Sequence, residues 1–259
     1  MGKAHQMNML APIDYDETAL AGLTKEEKAA FLAMQQDELQ QTLSGVDLQL
    51  SRYKINKDLC QFVDESGETV KELVGVIVYK DKTRGYWDRS AEDNVPECSS
   101  IGGVTGTTRN GETRSCINCP YNQWGSAVDE KGEAMKGKAC KEMRRIYLAL
   151  KGTAVPIFVT LPPTSIGHFD RYISARVTKQ ITDLARETKV TLTSEKGGKF
   201  TYAVAQFALG EPVSPKDQLA YYELRKWAKA HADRTPVEVE DYDVTDAEAT
   251  QVDEDDNPF

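Results

Sequence analysis

Between Pro96 and Lys141 the chain offers little from which to build an apolar core. The segment is rich in Gly, Ser, Thr, Asn and Cys and shows almost no hydrophobic periodicity over some 45 residues. A stretch of that length inside a compact domain needs something other than burial to hold it. Four of the five cysteines lie within it: Cys98, Cys116, Cys119 and Cys140. Cys116-Ile117-Asn118-Cys119 is a C-x2-C pair, a spacing that lets two thiolates reach one metal from a tight turn, and Cys98 and Cys140 complete a four-sulfur set. Metal-binding free energy then becomes folding free energy. The expectation is one structural Zn2+. Disulfides are the rival reading, disfavoured by a reducing cytoplasm. A thioredoxin-like redox pair is a weaker rival, because no βαβ pattern surrounds it. Cys60, beside Phe62 and Val63, reads as a buried thiol, with replacement of Cys98 as its alternative role.

Regular structure is expected on both sides of this insertion. Thr24-Lys25-Glu26-Glu27 has the form of a capping box opening a helix to about Leu43, with Ala29, Phe31, Leu32, Met34 and Leu39 as candidate buried positions. Residues 48–55 alternate like a strand. Leu73 to Tyr79 is the strongest strand, and Gly75 within it suggests a bulge or a close backbone approach. Arg84 to Arg89 is expected to follow across a turn. Beyond the insertion, strands are predicted at 144–150 and 155–161, and a helix over Ser165–Arg186. A glycine-turned hairpin spans about 190–209, and a second helix opens at Ser214-Pro215 and runs to Ala232. Many strands with few helices predict a mostly β (α+β) protein: an OB-like β-barrel with appended helices and a zinc-stapled insertion. The organisation reads as an N-terminal leader and helix (1–47), a binding domain (48–236) containing the insertion (about 96–141), and an acidic tail (237–259).

Charge divides along these lines. The formal charge of −9 conceals ten acidic residues and no Lys or Arg from Val237 to Phe259. Residues 1–236 hold 32 basic against 31 acidic residues, and the acidic N-terminal segment leaves 48–236 clearly basic. No apolar run is long enough for a membrane span, and no secretory h-region opens the chain. The expected location is the cytoplasm, with no membrane partner.

The basic residues cluster with rings. Arg84, Tyr86, Trp87 and Arg89 form one group; Tyr121 and Trp124, followed by Lys136, Lys138, Lys141, Arg144 and Arg145, form another. Single-stranded nucleic acid is held this way, cations tracking phosphates while exposed rings stack on bases. The competing reading makes Trp87, Trp124 and Tyr147 core residues, where most aromatics go. No enzyme is expected: the three His are scattered, and there is no P-loop, G-x-S-x-G or H-E-x-x-H.

The chain ends Asp253-Glu254-Asp255-Asp256-Asn257-Pro258-Phe259. This resembles the tail of bacterial single-stranded-DNA-binding proteins, which end in several acids, a hydrophobic residue, Pro and Phe; Asn257 stands at the hydrophobic position. Cys116 to Ser126, Gly137 to Lys141 and Leu161-Pro-Pro-Thr-Ser165 resemble a group of bacteriophage replication and recombination proteins, some of them single-strand-binding. The resemblance implies a sequence-nonspecific single-stranded-DNA-binding protein of an infected bacterial cytoplasm, acting in DNA replication, recombination and repair. It implies that Asp253, Glu254, Asp255, Asp256, Pro258 and Phe259 recruit replication or recombination proteins. An acidic strand ending in a ring and a carboxylate suits a small apolar pocket rimmed by cations. Two alternatives stand beside it: a zinc-containing DNA-processing enzyme, and a mimic of DNA or of a host tail that inhibits host enzymes.

Overall fold

The computed structural model describes residues 18, 20–46, 48–88, 95–129, 132–197 and 200–238. In chain order the elements are α1 (Lys25–Thr42), β1 (Arg52–Asn56), β2 (Gln61–Val63), β3 (Thr69–Val70), β4 (Glu72–Tyr86), β5 (Cys98–Ile101), β6 (Thr105–Thr108) and β7 (Thr113–Ser115). A 3-10 turn follows at Pro120–Asn122, then β8 (Lys141–Leu150), β9 (Ile157–Leu161), α2 (Pro163–Thr178), β10 (Arg186–Gly197), β11 (Phe200–Pro212) and α3 (Pro215–Ala232). The strands form one mixed sheet ordered β3-β2-β1-β9-β8-β4-β5-β6-β7, with β10 joined to β4 and carrying β11. The β1–β9 pairing is parallel. The protein is therefore mostly β with a few helices. Its strand path ends at β3 and β7 without closing, so the sheet is not the closed barrel expected from the sequence.

The reason lies in β8, which is apolar on both faces. Ile146 and Leu148 point into a cluster with Ile77, Val159, Leu161 and Phe169, the last supplied by α2. Tyr147 and Ala149 point the other way, into a cluster with Val76, Val78, Leu224 and Trp227, the last two supplied by α3. Alternate residues of a strand face opposite sides, so a strand apolar throughout needs a cover on each side. A barrel has one apolar interior; this sheet has two apolar faces and a helix on each.

The helix signals are realised. Thr24 caps α1 in a full capping box with Glu27, and Ser214 accepts from the Asp217 amide at the start of α3. No residue of α1 is buried, however, and Met34 is 49% exposed. Its expected apolar face covers nothing of the core, because α2 and α3 already occupy the two sides of the sheet. The helix expected over 165–186 stops at Thr178, where Gln180 takes φ 56° and the Ile181 amide returns to the Arg176 carbonyl. The chain from Arg186 onward is strand.

Strand β4 runs unbroken to Tyr86, with no turn before Arg84. A Cβ on Gly75 would lie 2.5 Å from the Ala149 carbonyl oxygen. The glycine thus marks a close backbone approach, while the register slip lies between Ile77 and Tyr79. On the edge away from β8, β10 pairs with residues 72–75 of β4 and β5 with residues 83–86. Between them Arg225 of α3 donates to the Val78 carbonyl at 2.7 Å, satisfying part of the open edge. After α3, Arg145 donates to the carbonyls of Thr235 and Pro236, Arg52 pairs with Glu238, and Val237 is buried. Val237 and Glu238, assigned to the tail by charge, belong to the folded body.

Gly75→Ala is expected to destabilise the fold by about 1–3 kcal/mol, because the added methyl meets backbone and cannot be accommodated by a rotamer change. Urea unfolding of the two proteins measures it.

Candidate functional site

The end of the sheet farthest from its apolar centre gathers the cysteines. Cys98 opens β5 and lies opposite Tyr86 of β4. Cys140 immediately precedes β8, whose Lys141 lies opposite Gly85. These two cysteines thus flank the last residues of β4, one on each neighbouring strand. Cys116 follows β7, and its amide donates to the Val104 carbonyl at 2.8 Å. Cys119 closes the tight turn, its amide reaching the Cys116 carbonyl at 3.4 Å. The Cys140 amide donates to the Tyr121 carbonyl at 2.8 Å, tying the cysteine at the start of β8 to the turn. All four sulfur-bearing residues line one pocket, together with Arg84, Tyr86, Arg114, Tyr121 and Asn122. Cys98 lines it; Cys60, in the turn before β2, does not.

Among the described residues no three His, Cys, Asp or Glu side chains stand, as placed, in the geometry of a bound metal ion. The donor set is nevertheless of the kind Zn2+ takes, four cysteine sulfurs on residues lining one pocket. Gly106 of β6 sits against the sulfurs: a Cβ there would lie 2.8 Å from the Cys98 Sγ and 3.6 Å from the Cys116 Sγ. The glycine leaves room for both sulfurs beside the β6 backbone. Zn–S bonds of about 2.3 Å require the four to draw together around one point, which the shared pocket allows. Burial raises the Cys98 thiol, with Cys116 and Cys119 adding to it. Burial pushes Cys140 up to about 12, against the opposing pull of Arg84. Burial thus favours the protonated form of Cys98 and Cys140. A zinc ion would supply the charge that makes them thiolates, and the cross-link a coreless segment lacks.

The expected nucleic-acid residues divide into two sets. Around the pocket, Tyr86 and Tyr121 stack with ring centroids 4.1 Å apart and 13° between planes. Burial, then Tyr121, pushes the Tyr86 hydroxyl up to about 12. Arg84 is only 8% exposed; it donates to Asn122 at 2.7 Å and pairs with Glu142. Trp124 is 57% exposed, with the Lys138 ammonium 5.7 Å from its ring centroid. Lys136 is exposed on the same insertion. Ile117, at the tip of the C-x2-C turn, is 78% exposed.

The second set is committed to contacts within the fold. Trp87 folds back over Gly85, where a Cβ would meet its ring, and packs near Met143 and Val237 on the opposite face. Arg145 is fully buried on that face and serves the 235–236 carbonyls, so it meets no phosphate. Lys141 is half-buried opposite Gly85. Arg144 pairs with Glu142 and with Asp170 of α2. Glu142 is in turn the meeting point of Lys82, Arg84 and Arg144. Burial alone would raise its carboxyl, but Arg144, Arg84 and Lys82 together hold it below the usual carboxylate range. Arg89 and the acidic end 253–259 lie outside the described residues. Asn122, which gave no sequence signal, stands at the centre of the first set.

No protein-family model matches the chain, and neither a curated protein nor a solved structure matches it significantly. Among the described residues no helix is long and apolar enough to cross a membrane.

Protein purified without chelator is expected to carry about one zinc per chain, with none retained by a Cys116→Ser/Cys119→Ser double variant. Gly106→Ala should hold the metal less tightly, because its methyl displaces the Cys98 sulfur. Full metal occupancy in the double variant would contradict the assignment.

Proposed function

We propose that the protein binds single-stranded DNA without sequence preference, through the cysteine-organised end of its sheet. It would act without catalysis, in replication, recombination or repair in a phage-infected bacterial cytoplasm. The observation that carries this reading is Trp124, a large ring left in solvent and flanked by Lys138, on the segment that carries four cysteines. A buried ring would have served packing; an exposed one with a cation at its face serves stacking on bases, worth about 1–3 kcal/mol per base. In this reading the end of the open sheet takes the part that one face of an OB-like barrel plays in binding oligonucleotides.

The tail enters through its root. Val237 and Glu238 are fixed beside Met143, Trp87 and Arg52, so the nine acidic residues of 239–259 follow from a point on the β4–β8 part of the sheet. Such a charge competes with DNA for cations, most strongly at low salt where screening is weak. Its Asp253 to Phe259 end is proposed to recruit partner proteins, Phe259 acting as the apolar anchor.

Titration of labelled oligo-dT and of duplex across a salt series tests the reading. Single strands should bind far better than duplex, with affinity falling steeply as salt rises, because neutralised phosphates release counterions. Trp124→Ala should weaken binding about tenfold with little change in salt slope. Truncation after Glu238 should tighten binding at low salt, the gain shrinking as salt rises. Equal affinity for duplex and single strands would defeat the proposal. Divalent-metal-dependent cleavage of the oligonucleotide would favour a DNA-processing enzyme.

A further inference from the structure

Asn122 makes four hydrogen bonds that no other side chain of the pocket duplicates. Its backbone amide donates to the Cys119 carbonyl at 3.0 Å, and its Nδ2 donates to the Cys116 carbonyl at 2.8 Å. Its Oδ1 accepts from Arg84 Nη1 at 2.7 Å and from Lys138 Nζ at 3.4 Å. Its Nδ2 thus holds the Cys116 carbonyl and its backbone amide the Cys119 carbonyl, which Gln123 Nε2 also reaches at 3.3 Å, while its Oδ1 holds two cations. Lys138 continues the chain to the Trp124 ring. Arg84 continues it into β4 and, through Glu142, into β8. An amide is suited to this position because it donates from Nδ2 and accepts at Oδ1, two separate atoms; an ionised carboxylate of the same shape cannot donate.

We propose that Asn122 is a positioning residue that couples the metal-holding turn to the single-strand-binding cation and ring, so that loading of the cysteines sets the affinity for DNA. The proposal rests on the single-strand reading given above. When the four sulfurs are drawn onto a metal ion, the Cys116 and Cys119 carbonyls are fixed. Asn122 then has one orientation, with Oδ1 presented to Lys138 and Arg84. Lys138 in turn keeps its ammonium at one face of Trp124 and leaves the other face for a base. When the turn loosens, Oδ1 loses its direction and Lys138 is no longer held at the ring. The residue need not touch DNA; it acts through Lys138.

The coupling is measured with a double-variant cycle on the full chain. Asn122→Ala should keep one zinc per chain, yet release it to a chelator several-fold faster and bind oligo-dT about tenfold more weakly. Lys138→Ala should weaken oligo-dT binding similarly and reduce the salt slope by about one. In the Lys138→Ala background, Asn122→Ala should add little further loss, because the path is already cut. Asn122→Asp, which retains the acceptor oxygen and loses the Nδ2 donor, should release zinc as fast as Asn122→Ala while keeping more of the DNA affinity. Independent, additive losses in the double variant, or wild-type DNA affinity in Asn122→Ala, would overturn the coupling. If the wild-type protein itself fails to bind oligo-dT, the single-strand reading falls. The hold of Asn122 on the turn is then judged by zinc release alone, and an unchanged release rate overturns that as well.

Discussion

A sheet whose central strand is apolar on both faces must be covered on both faces, and β8 imposes this condition on the whole molecule. Ile146 and Leu148 require α2; Tyr147 and Ala149 require α3. What remains lies beyond the helices, where β4, β5 and β8 end in Tyr86, Cys98 and Lys141. That end has only the small cluster of Met143, Val237, Trp87 and Ile101 on one side, so its other side is organised by backbone hydrogen bonds and ion pairs. The division between a hydrophobic middle and a polar, cysteine-bearing end is thus a consequence of strand periodicity, and it leaves Trp124 exposed beside Lys138 at that end, while α3 exposes Tyr222 beside Lys226.

Charge in this protein works differently from what its count suggests. Of the basic residues that cluster in sequence, several are committed internally. Arg145 binds the carbonyls that follow α3, and Arg84 and Arg144 converge with Lys82 on Glu142. These contacts fix the sheet end and the root of the tail. A buried charge left unpaired would be strongly destabilising, so each such arginine comes with its acceptors. Fewer cations remain for an outside partner than the sequence implies. Lys136 and Lys138 on the insertion are the better placed, and Trp124 beside Lys138 gives them direction.

Much of this was legible beforehand. The capping signals at Thr24 and Ser214 and the strands around Leu73, Leu148 and Val159 could be read, because each rests on local chemistry. The failures share a cause. That β4 continues through Arg84, that Trp87 folds over Gly85 and that Arg145 is buried all depend on which face of the sheet a residue occupies. A single-residue alternation such as Met143-Arg145-Tyr147-Ala149 shows this only once the neighbouring apolar face is known. The open sheet escaped notice for the same reason: counting strands does not reveal that β8 needs two covers. Asn122 left no trace because one amide among many in a polar segment carries no periodic or compositional signal; only its four partners mark it.

The central claim is that single strands lie across the cysteine-organised end of the sheet, and hydrogen exchange of the zinc-loaded protein with and without oligo-dT tests it most directly. Slowed exchange concentrated in residues 116–126 and 136–141, with α3 and the β10–β11 hairpin unchanged, is the predicted result. Protection confined to α3 or to that hairpin, or no protection at saturating oligonucleotide, would contradict it.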